Sequence, residues 1–239
     1  MGRAPEILDN LIAQQKAVPM IVVMANGHYW QTASPNQVTN PLNSFEMPVD
    51  LSKQRDICSD MITRYADSIV PDLVPFVDKT FRTKADRDDR AIAGLSIGGA
   101  QTIHAAFNNL QTFSWVALLS SAAPLLPGVG KVIPRPADSA QRRGPGLGQT
   151  IDLEKFAEAY PAINPDLNKR LHLLYLGVGK VDGLLESEQD LQTIFEQHGV
   201  KFVKRDLDDY GHDWNFWRMA LEDFSTRLFK TANWQASQN

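Results

Sequence analysis

The sequence predicts an α/β protein in which helices cover both faces of a mostly parallel β-sheet. Two observations lead to this prediction. Short apolar runs of strand length alternate along the chain with longer segments whose apolar residues recur at helical spacing. The 239 residues also suit one domain of this class, and they contain no internal repeat. We therefore expect a single domain over residues 1–239.

The individual elements follow from apolar periodicity and from turn residues. In the first half we predict a helix over 5–17, a buried strand over 19–25, a long polar loop over 28–50, a helix from Leu51 to Ile69 that Pro71 and Pro75 break, a buried strand over 89–95 and a helix over 97–107. In the second half we predict a buried strand over 114–121, a helix over 153–160, a strand over 171–177, a helix over 186–199, a strand over 200–207 and a helix over 214–230.

Residues 121–150 form a predicted loop that is rich in proline and glycine. Loops of this length inside a domain are usually functional or disordered. Two interpretations stay open for this one: a mobile surface loop, or a flap that covers a substrate.

Composition excludes several classes of partner. The formal net charge is −4 and no run rich in lysine and arginine occurs, so no nucleic-acid partner is expected. The longest apolar run, residues 18–25, is too short to cross a bilayer, so no membrane partner is expected. Cys58 is the only cysteine, which rules out an internal disulfide. The first residues do not show the pattern of a signal peptide.

The segment Gly94-Leu95-Ser96-Ile97-Gly98 has the G-x-S-x-G form of a nucleophile elbow. Such an elbow needs a strand before the serine and a helix after it, and both are predicted here. The turn is so sharp that side chains two positions from the serine would collide with the backbone, which explains the glycines. Ser96 is therefore the candidate nucleophile.

A serine hydroxyl needs a base to take its proton, and five histidines are available. His212 follows the last predicted strand, at the sheet edge where α/β proteins carry their catalytic groups, and it is the predicted base. His28 follows the strand over 19–25 and is a candidate for lining the cleft. The remaining three are expected to be structural: His104, His172 and His198.

The acid that orients this base should lie between Ser96 and His212 in the chain. Asp182 follows the strand over 171–177, so it can reach the imidazole from the neighbouring loop. The competing acids are close to His212 in sequence and are expected on the solvated side of its loop: Asp206, Asp208 and Asp209. The spacing around Asp206 fails as a calcium loop because its twelfth position is Trp217. We expect no metal and no other cofactor.

These motifs resemble carbohydrate esterase family 1, the feruloyl and acetylxylan esterase group, whose wider family includes enterochelin esterases and S-formylglutathione hydrolases. The resemblance covers almost the whole chain and is carried by four stretches: "PMIVVMANGH", "DRAIAGLSIGGAQT", "LGVGKVDGLL" and "GHDWNFWR". It implies an α/β-hydrolase fold with Ser96 as nucleophile, Asp182 as acid and His212 as base. Asp213 departs from the family pattern, which has threonine there.

The resemblance also implies strands that this sequence lacks before its first helix, including a central one whose loop supplies an oxyanion donor. We therefore expect the domain to be incomplete at its N-terminus and to self-associate through exposed sheet edges. The Ile97 N–H is the expected remaining oxyanion donor, and the Asn26-Gly27-His28 loop is the first candidate for another. The localisation stays unknown.

The predicted function is a serine carboxylic-ester hydrolase that acts on feruloyl or acetyl esters of plant polysaccharide, or on similar small esters. Two alternatives stay open: an acyltransferase with the same triad, and a non-catalytic binding fragment. Trp214 and Trp217 share a face of the last helix. Both can pack that helix onto the sheet, or Trp214 can wall the acyl pocket.

Overall fold

A four-stranded parallel sheet organises the fold. The computed structural model describes residues 2–27, 51–133 and 148–230. The strands are β1 Ala91–Leu95, β2 Trp115–Leu119, β3 Gly130–Val132, β4 Gln149–Ile151, β5 Leu173–Gly179 and β6 Val203–Leu207. The parallel sheet has the order β1-β2-β5-β6, and β3 pairs with β4 in a separate antiparallel ribbon. The predicted α/β class is confirmed.

Helices connect the strands of this sheet and cover it. They are α1 Ala4–Ala13, α2 Leu51–Ser68, α3 Val74–Thr80, α4 Ile97–Asn108, α5 Leu153–Ala159, α6 Leu167–Arg170, α7 Leu185–Gln197 and α8 Trp214–Arg227. The predicted break after α2 is a π-helical turn over Ile69–Leu73 that contains Pro71. None of the helices in the described part of the chain is long and apolar enough to cross a membrane.

Alternate residues of the central strands feed two separate cores, as the two-residue period of a strand requires. Val116, Leu118, Leu174 and Leu176 point into the larger core, which α2, α4, α5 and α7 complete. Their neighbours along β2 and β5 point to the opposite face, where α8 packs: Trp115, Ala117, Leu119, Leu173 and Tyr175. Every residue of β2 and of β5 is buried. These two strands therefore carry the centre of the fold.

The buried strand predicted over 19–25 is wrong. Residues 18–27 form neither a strand nor a helix, and the side chains of Ile21, Val22, Val23 and Met24 are between 46% and 67% exposed. Apolar sequence supplies a preference for extended backbone, but a strand exists only when another strand accepts its hydrogen bonds. Among the described residues no strand pairs with this segment.

The elbow strand β1 is also less buried than predicted. Among the described strands it lies at an end of the parallel sheet and pairs only with β2, in the register Ala91 to Trp115 through Leu95 to Leu119. Each of its five residues is at least partly exposed. The fully buried strand that the sequence predicts here is therefore corrected to a half-buried edge strand.

The start of the proline-rich region over 121–150 differs from both predicted interpretations. Residues 121–126 are buried and include a 3₁₀ turn over Ala123–Leu125. The ribbon of β3 and β4 follows, and residues 134–147 lie outside the described part of the chain. Thr150 and Ile151 of the ribbon bind the Asp190 carboxylate of α7. The start of this region is thus core rather than surface loop or flap.

Candidate active site

Ser96 sits in a strained turn between β1 and α4. Its backbone has φ 57° and ψ −122°, a conformation that costs free energy for any residue with a side chain. A Cβ at Gly94 would overlap the carbonyl oxygen of Gly98, so this position needs glycine. A Cβ at Gly98 would meet nothing within 4 Å. The predicted steric requirement therefore holds for the first glycine of the motif and is wrong for the second.

The structure brings Ser96, His212 and Asp182 together. The His212 Nε2 atom lies 2.9 Å from Ser96 Oγ, and His212 Nδ1 lies 3.1 Å from each carboxyl oxygen of Asp182. The Asp182 side chain is fully buried, whereas 8% of the His212 side chain is exposed. Ser96 itself is partly exposed.

Parallel strands explain why residues so distant in sequence meet. Ser96 follows β1, Asp182 follows β5 and His212 follows β6, all at the carboxyl edge of one sheet. The turn after β5 is fixed by the Asp182 carboxylate, which accepts a 2.8 Å hydrogen bond from the Leu184 N–H. The Val181 N–H donates to the Tyr210 carbonyl, which joins this turn to the loop that carries His212.

The competing acids have other partners. Asp208 is 78% exposed and pairs with Lys180 at 2.8 Å. The Asp206 side chain is only 9% exposed, because it lies on β6 and accepts from the Gln192 side-chain amide at 3.0 Å. Its predicted position on the solvated side of the loop is wrong. Asp209 has a left-handed backbone with φ 62° in the turn after β6.

The remaining histidines have other partners or lie outside the described residues. His104 Nδ1 is 3.3 Å from the Tyr160 hydroxyl, and its Nε2 is 3.2 Å from the Asp67 carboxylate. His172 pairs with Asp88, and His198 ends α7. His28, the candidate for lining the cleft, lies outside the described residues.

The backbone around the elbow offers one evident hydrogen-bond donor. Ile97 is the first residue of α4, so its N–H has no carbonyl partner within the helix. Gly27 lies nearby in space, because its carbonyl accepts from the Gln101 side chain of α4 at 2.8 Å. The loop that contains Asn26 and Gly27 is thus tied to the first turns of the elbow helix.

Two tryptophans connect the histidine to the surface. The Trp217 ring is almost perpendicular to the His212 ring, with their centroids 4.8 Å apart, and it is perpendicular to Trp214 at 5.1 Å. Trp217 is 9% exposed and packs in the core, whereas Trp214 is 43% exposed and also contacts Gly2. Asp213 begins α8, where its carboxylate accepts from the N–H groups of Asn215 and Phe216.

Sequence reasoning missed the polar groups beneath the site. The Trp217 indole N–H donates to Ser120 Oγ at 3.3 Å, and the Ser121 N–H donates to the Glu188 carboxyl group. Proximity in the chain gives no signal for these contacts. The one signal in the sequence is that Glu188 falls on the apolar side of its predicted helix. In the structure Glu188 is completely buried.

The arrangement can move a proton away from a serine hydroxyl. With the imidazole neutral and its proton on Nδ1, His212 donates to Asp182 and accepts from the Ser96 hydroxyl. A buried carboxylate stabilises the imidazolium that forms when the proton moves. Within the described ranges, no group of three or more histidine, cysteine, aspartate or glutamate side chains could hold a metal ion.

The chain is similar to known esterases. Residues 1–228 match the model of a family described as "Putative esterase". The chain is 35% identical over 230 residues to an endo-1,4-beta-xylanase/feruloyl esterase of Xylanibacter ruminicola, covering 96% of this chain and 24% of that protein. It is 25% identical over 164 residues to an acetyl esterase of Caldicellulosiruptor saccharolyticus, covering 66% of this chain and 60% of that protein.

Solved structures share the fold. A CE1 ferulic acid esterase of Anaeromyces mucronatus, in complex with ferulic acid, superposes with a TM-score of 0.66 at 14% identity, covering 92% of this chain and 69% of that one. A second ferulic acid esterase has a TM-score of 0.55 at 20% identity, covering 95% of this chain and 78% of the other. The chain spans about a quarter of the length of the xylanase/feruloyl esterase and 60% of the acetyl esterase. Because the family model matches nearly the entire chain, the protein belongs to this esterase family.

Proposed function

We propose that the protein is a serine carboxylic-ester hydrolase in which Ser96, His212 and Asp182 form the catalytic triad. The observation that carries this proposal is the pair of hydrogen bonds at His212: 2.9 Å to the Ser96 hydroxyl on one nitrogen and 3.1 Å to a fully buried carboxylate on the other. A histidine with a purely structural role does not need a serine hydroxyl on one ring nitrogen and a buried carboxylate on the other.

The reaction proceeds in two halves. Ser96 Oγ attacks the ester carbonyl while His212 Nε2 takes the hydroxyl proton, and His212 then returns that proton to the leaving alcohol. Water enters, gives a proton to His212 and attacks the acyl-serine. As the acid leaves, His212 returns this proton to Ser96 Oγ and the enzyme is restored. Asp182 keeps the imidazole in the tautomer that accepts from serine and stabilises its charged form.

Charge on the carbonyl oxygen requires hydrogen-bond donors at the elbow. The Ile97 N–H supplies one, at the N-terminus of α4, where the helix dipole also favours negative charge. The Asn26-Gly27-His28 loop is the proposed source of a second donor, since Gln101 holds Gly27 against α4.

The proposed substrates are feruloyl or acetyl esters of plant polysaccharide. Support comes from the relatives, which are named feruloyl esterase, acetyl esterase and ferulic acid esterase. Trp214 is the proposed contact for an aromatic acyl group, because it is half exposed and stacks edge to face on the tryptophan that contacts His212.

The triad is tested with Ser96→Ala. We expect turnover of p-nitrophenyl acetate to fall by at least about 10³-fold, with an unchanged circular dichroism spectrum. Ser68→Ala is the control, because that hydroxyl donates to the Tyr65 carbonyl within α2. Persistent turnover in purified Ser96→Ala contradicts the proposal. Adding an alcohol to the wild-type reaction separates hydrolysis from acyl transfer, since a transferase gives mainly the new ester.

The acyl preference is tested with Trp214→Ala. We expect the KM for methyl ferulate to rise more than the KM for p-nitrophenyl acetate, because only the ferulate ring can stack on an indole. Met219→Ala is the control, since this side chain is also exposed on α8. Equal changes in both KM values would instead assign Trp214 to packing.

A further inference from the structure

The four residues Leu119–Ala122, here termed the elbow support, hold Ser96 from below. The Ser96 N–H donates to the Leu119 carbonyl at 2.9 Å, and the Ala122 N–H donates to the Ser96 carbonyl at 2.9 Å. A Cβ at Gly99 would overlap the Ser121 side chain, so the first turn of α4 rests directly on this segment. The position of the elbow therefore depends on the position of the elbow support.

The elbow support also reaches His212. Ser120 Oγ accepts from the Trp217 indole, and that indole packs against the His212 ring. Ser120 has a left-handed backbone with φ 46°, and its N–H donates to the Gly177 carbonyl of β5 at 2.8 Å. A displacement of the elbow support would thus move the serine and the imidazole relative to each other.

The first turn of α7 fixes the elbow support. Ser187 Oγ donates to the Ser121 carbonyl at 3.0 Å, and the Ser121 N–H donates to Glu188 Oε2 at 2.9 Å. Both helix residues lie a few positions after Asp182, whose carboxylate accepts from the Leu184 N–H just before α7 begins. One short stretch of chain therefore carries the acid of the triad and the clamp on the elbow support.

Glu188 is an unusual residue for this place. Its side chain is fully buried, and Oε1 has no hydrogen-bond partner of normal geometry in the described part of the chain; the same is true of Ser121 Oγ. Burial raises the pKa of Glu188 to about 8, the Ser121 N–H and side chain oppose the rise, and Asp206 and Asp182 add to it. The raised pKa favours the neutral carboxyl group at pH 7, and Oε2 accepts from the Ser121 N–H in this form as well.

Packing alone does not explain a carboxyl group here. An apolar side chain of the same size would fill the space without the cost of burying a carboxyl group. It would, however, leave the Ser121 N–H without its acceptor. The feature that an apolar side chain could not replace is therefore the hydrogen bond between Glu188 and the Ser121 N–H.

We propose that Glu188 is a positioning residue for ester hydrolysis, which clamps Ser121 and thereby sets Ser96 Oγ relative to His212 Nε2. This inference rests on the proposed function. Glu188 contacts neither the serine nor the imidazole, so its loss should lower kcat and leave KM almost unchanged.

Two variants separate the hydrogen bond from the volume of the side chain. Glu188→Leu keeps the approximate size and removes the acceptor, whereas Glu188→Gln keeps a neutral acceptor for the Ser121 N–H and adds a donor for its hydroxyl. Gln192→Leu is the matched control: it removes another buried polar group from α7, one whose side-chain amide donates to Asp206 on β6. Kinetics with p-nitrophenyl acetate at pH 7 are normalised to folded protein.

We expect Glu188→Leu to lower kcat by about 10- to 100-fold with KM within about threefold, which is the scale of a misplaced catalytic group. Glu188→Gln should keep kcat within about threefold, and Gln192→Leu should keep it despite a loss of stability. If Glu188→Leu does not fold, Glu188→Asp replaces it, because the shorter side chain withdraws the acceptor from Ser121.

Three results would overturn the proposal. The first is a kcat for Glu188→Leu, or for its replacement, that equals that of the wild type. The second is a loss in Glu188→Gln as large as in Glu188→Leu, and the third is an equal loss in Gln192→Leu. A wild-type protein that neither hydrolyses the ester nor reacts with a fluorophosphonate would instead overturn the proposed function itself, and this inference with it.

Discussion

The two sides of the elbow differ in how deeply their residues are buried. On one side lie β2 and β5, in which every residue is buried, and the elbow support that continues from β2. On the other side lies β1, which is partly exposed throughout. The apolar segment 19–25 is likewise exposed and has no strand partner among the described residues. Ser96 stands at the junction of these two regions.

This difference teaches that the site takes its geometry from the buried side. The hydrogen bonds that fix the Ser96 backbone come from Leu119 and Ala122, and the acid comes from the turn after β5. The exposed side contributes the strand that leads into the elbow and the contact between Gly27 and Gln101. Substitutions in the buried region should therefore lower kcat and the free energy of unfolding, whereas substitutions in the exposed segment 19–25 should change self-association.

The largest expected effect concerns the acid on the buried side. Asp182→Asn should lower kcat by about 10²–10⁴-fold, because the amide favours the wrong histidine tautomer. Asp208→Asn is the control, since that carboxylate is exposed and pairs with Lys180. Kinetics on a p-nitrophenyl ester give both values. A large loss of kcat in Asp208→Asn together with a small loss in Asp182→Asn would show that Asp182 is not the acid.

A second comparison measures the packing of the two regions. Leu176→Ala on β5 should lower the free energy of unfolding by about 2–5 kcal/mol, because that side chain is completely buried. Val22→Ala, at a position 46% exposed, should change it by no more than about 0.5 kcal/mol. Urea denaturation measures both. Similar losses would show that segment 19–25 is packed in solution.

The pH dependence of stability sharpens the contrast further, because it reports on Glu188 beneath the elbow support. The folded protein raises the pKa of this carboxyl group from 4.5 to about 8, so between these values the folded state binds more protons than the unfolded state. Stability from this group is thus greatest at low pH and falls by about 1.4 kcal/mol per pH unit across that window. Glu188→Gln should remove this fall, as measured by denaturation at several pH values. A parallel dependence in both proteins would contradict the buried neutral acid.

The smallest effect is expected on the exposed side. Val22→Lys should reduce concentration-dependent self-association, because a charge on an apolar unpaired segment opposes edge-to-edge contact. Met219→Lys places the same charge on α8, at a position 37% exposed and away from this segment, and should change little. Light scattering across a concentration series measures both variants. If the control also reduces association, net charge rather than the segment is responsible.

Much of the fold follows from the sequence because its signals are local. The apolar runs that became β2 and β5, and the helical periods of α4, α7 and α8, need only a few neighbouring residues to be recognised. The prediction of Ser96, Asp182 and His212 needed the chemistry of an activated serine and one rule of topology. The rule is that parallel strands end at a common edge of the sheet. The structure brings these three side chains within hydrogen-bond distance.

Other features depended on partners far away in the chain. Segment 19–25 has the composition of a strand, yet strand formation needs a neighbour to accept its hydrogen bonds, and composition cannot supply one. Residues 121–126 look like the start of a loop, but Glu188 and Ser187 of α7 satisfy the backbone of Ser121 and allow burial.

The sequence by itself determined the class of the fold and the types of side chain at the site, because both depend on residue identity and short-range spacing. The tertiary structure decided which polar groups are buried, which strand stands at the edge and which side chains support the elbow. The physical reason is that burial and hydrogen bonding are properties of pairs. For Glu188 and Ser121, the two members of the pair lie 67 positions apart and meet only in the folded chain.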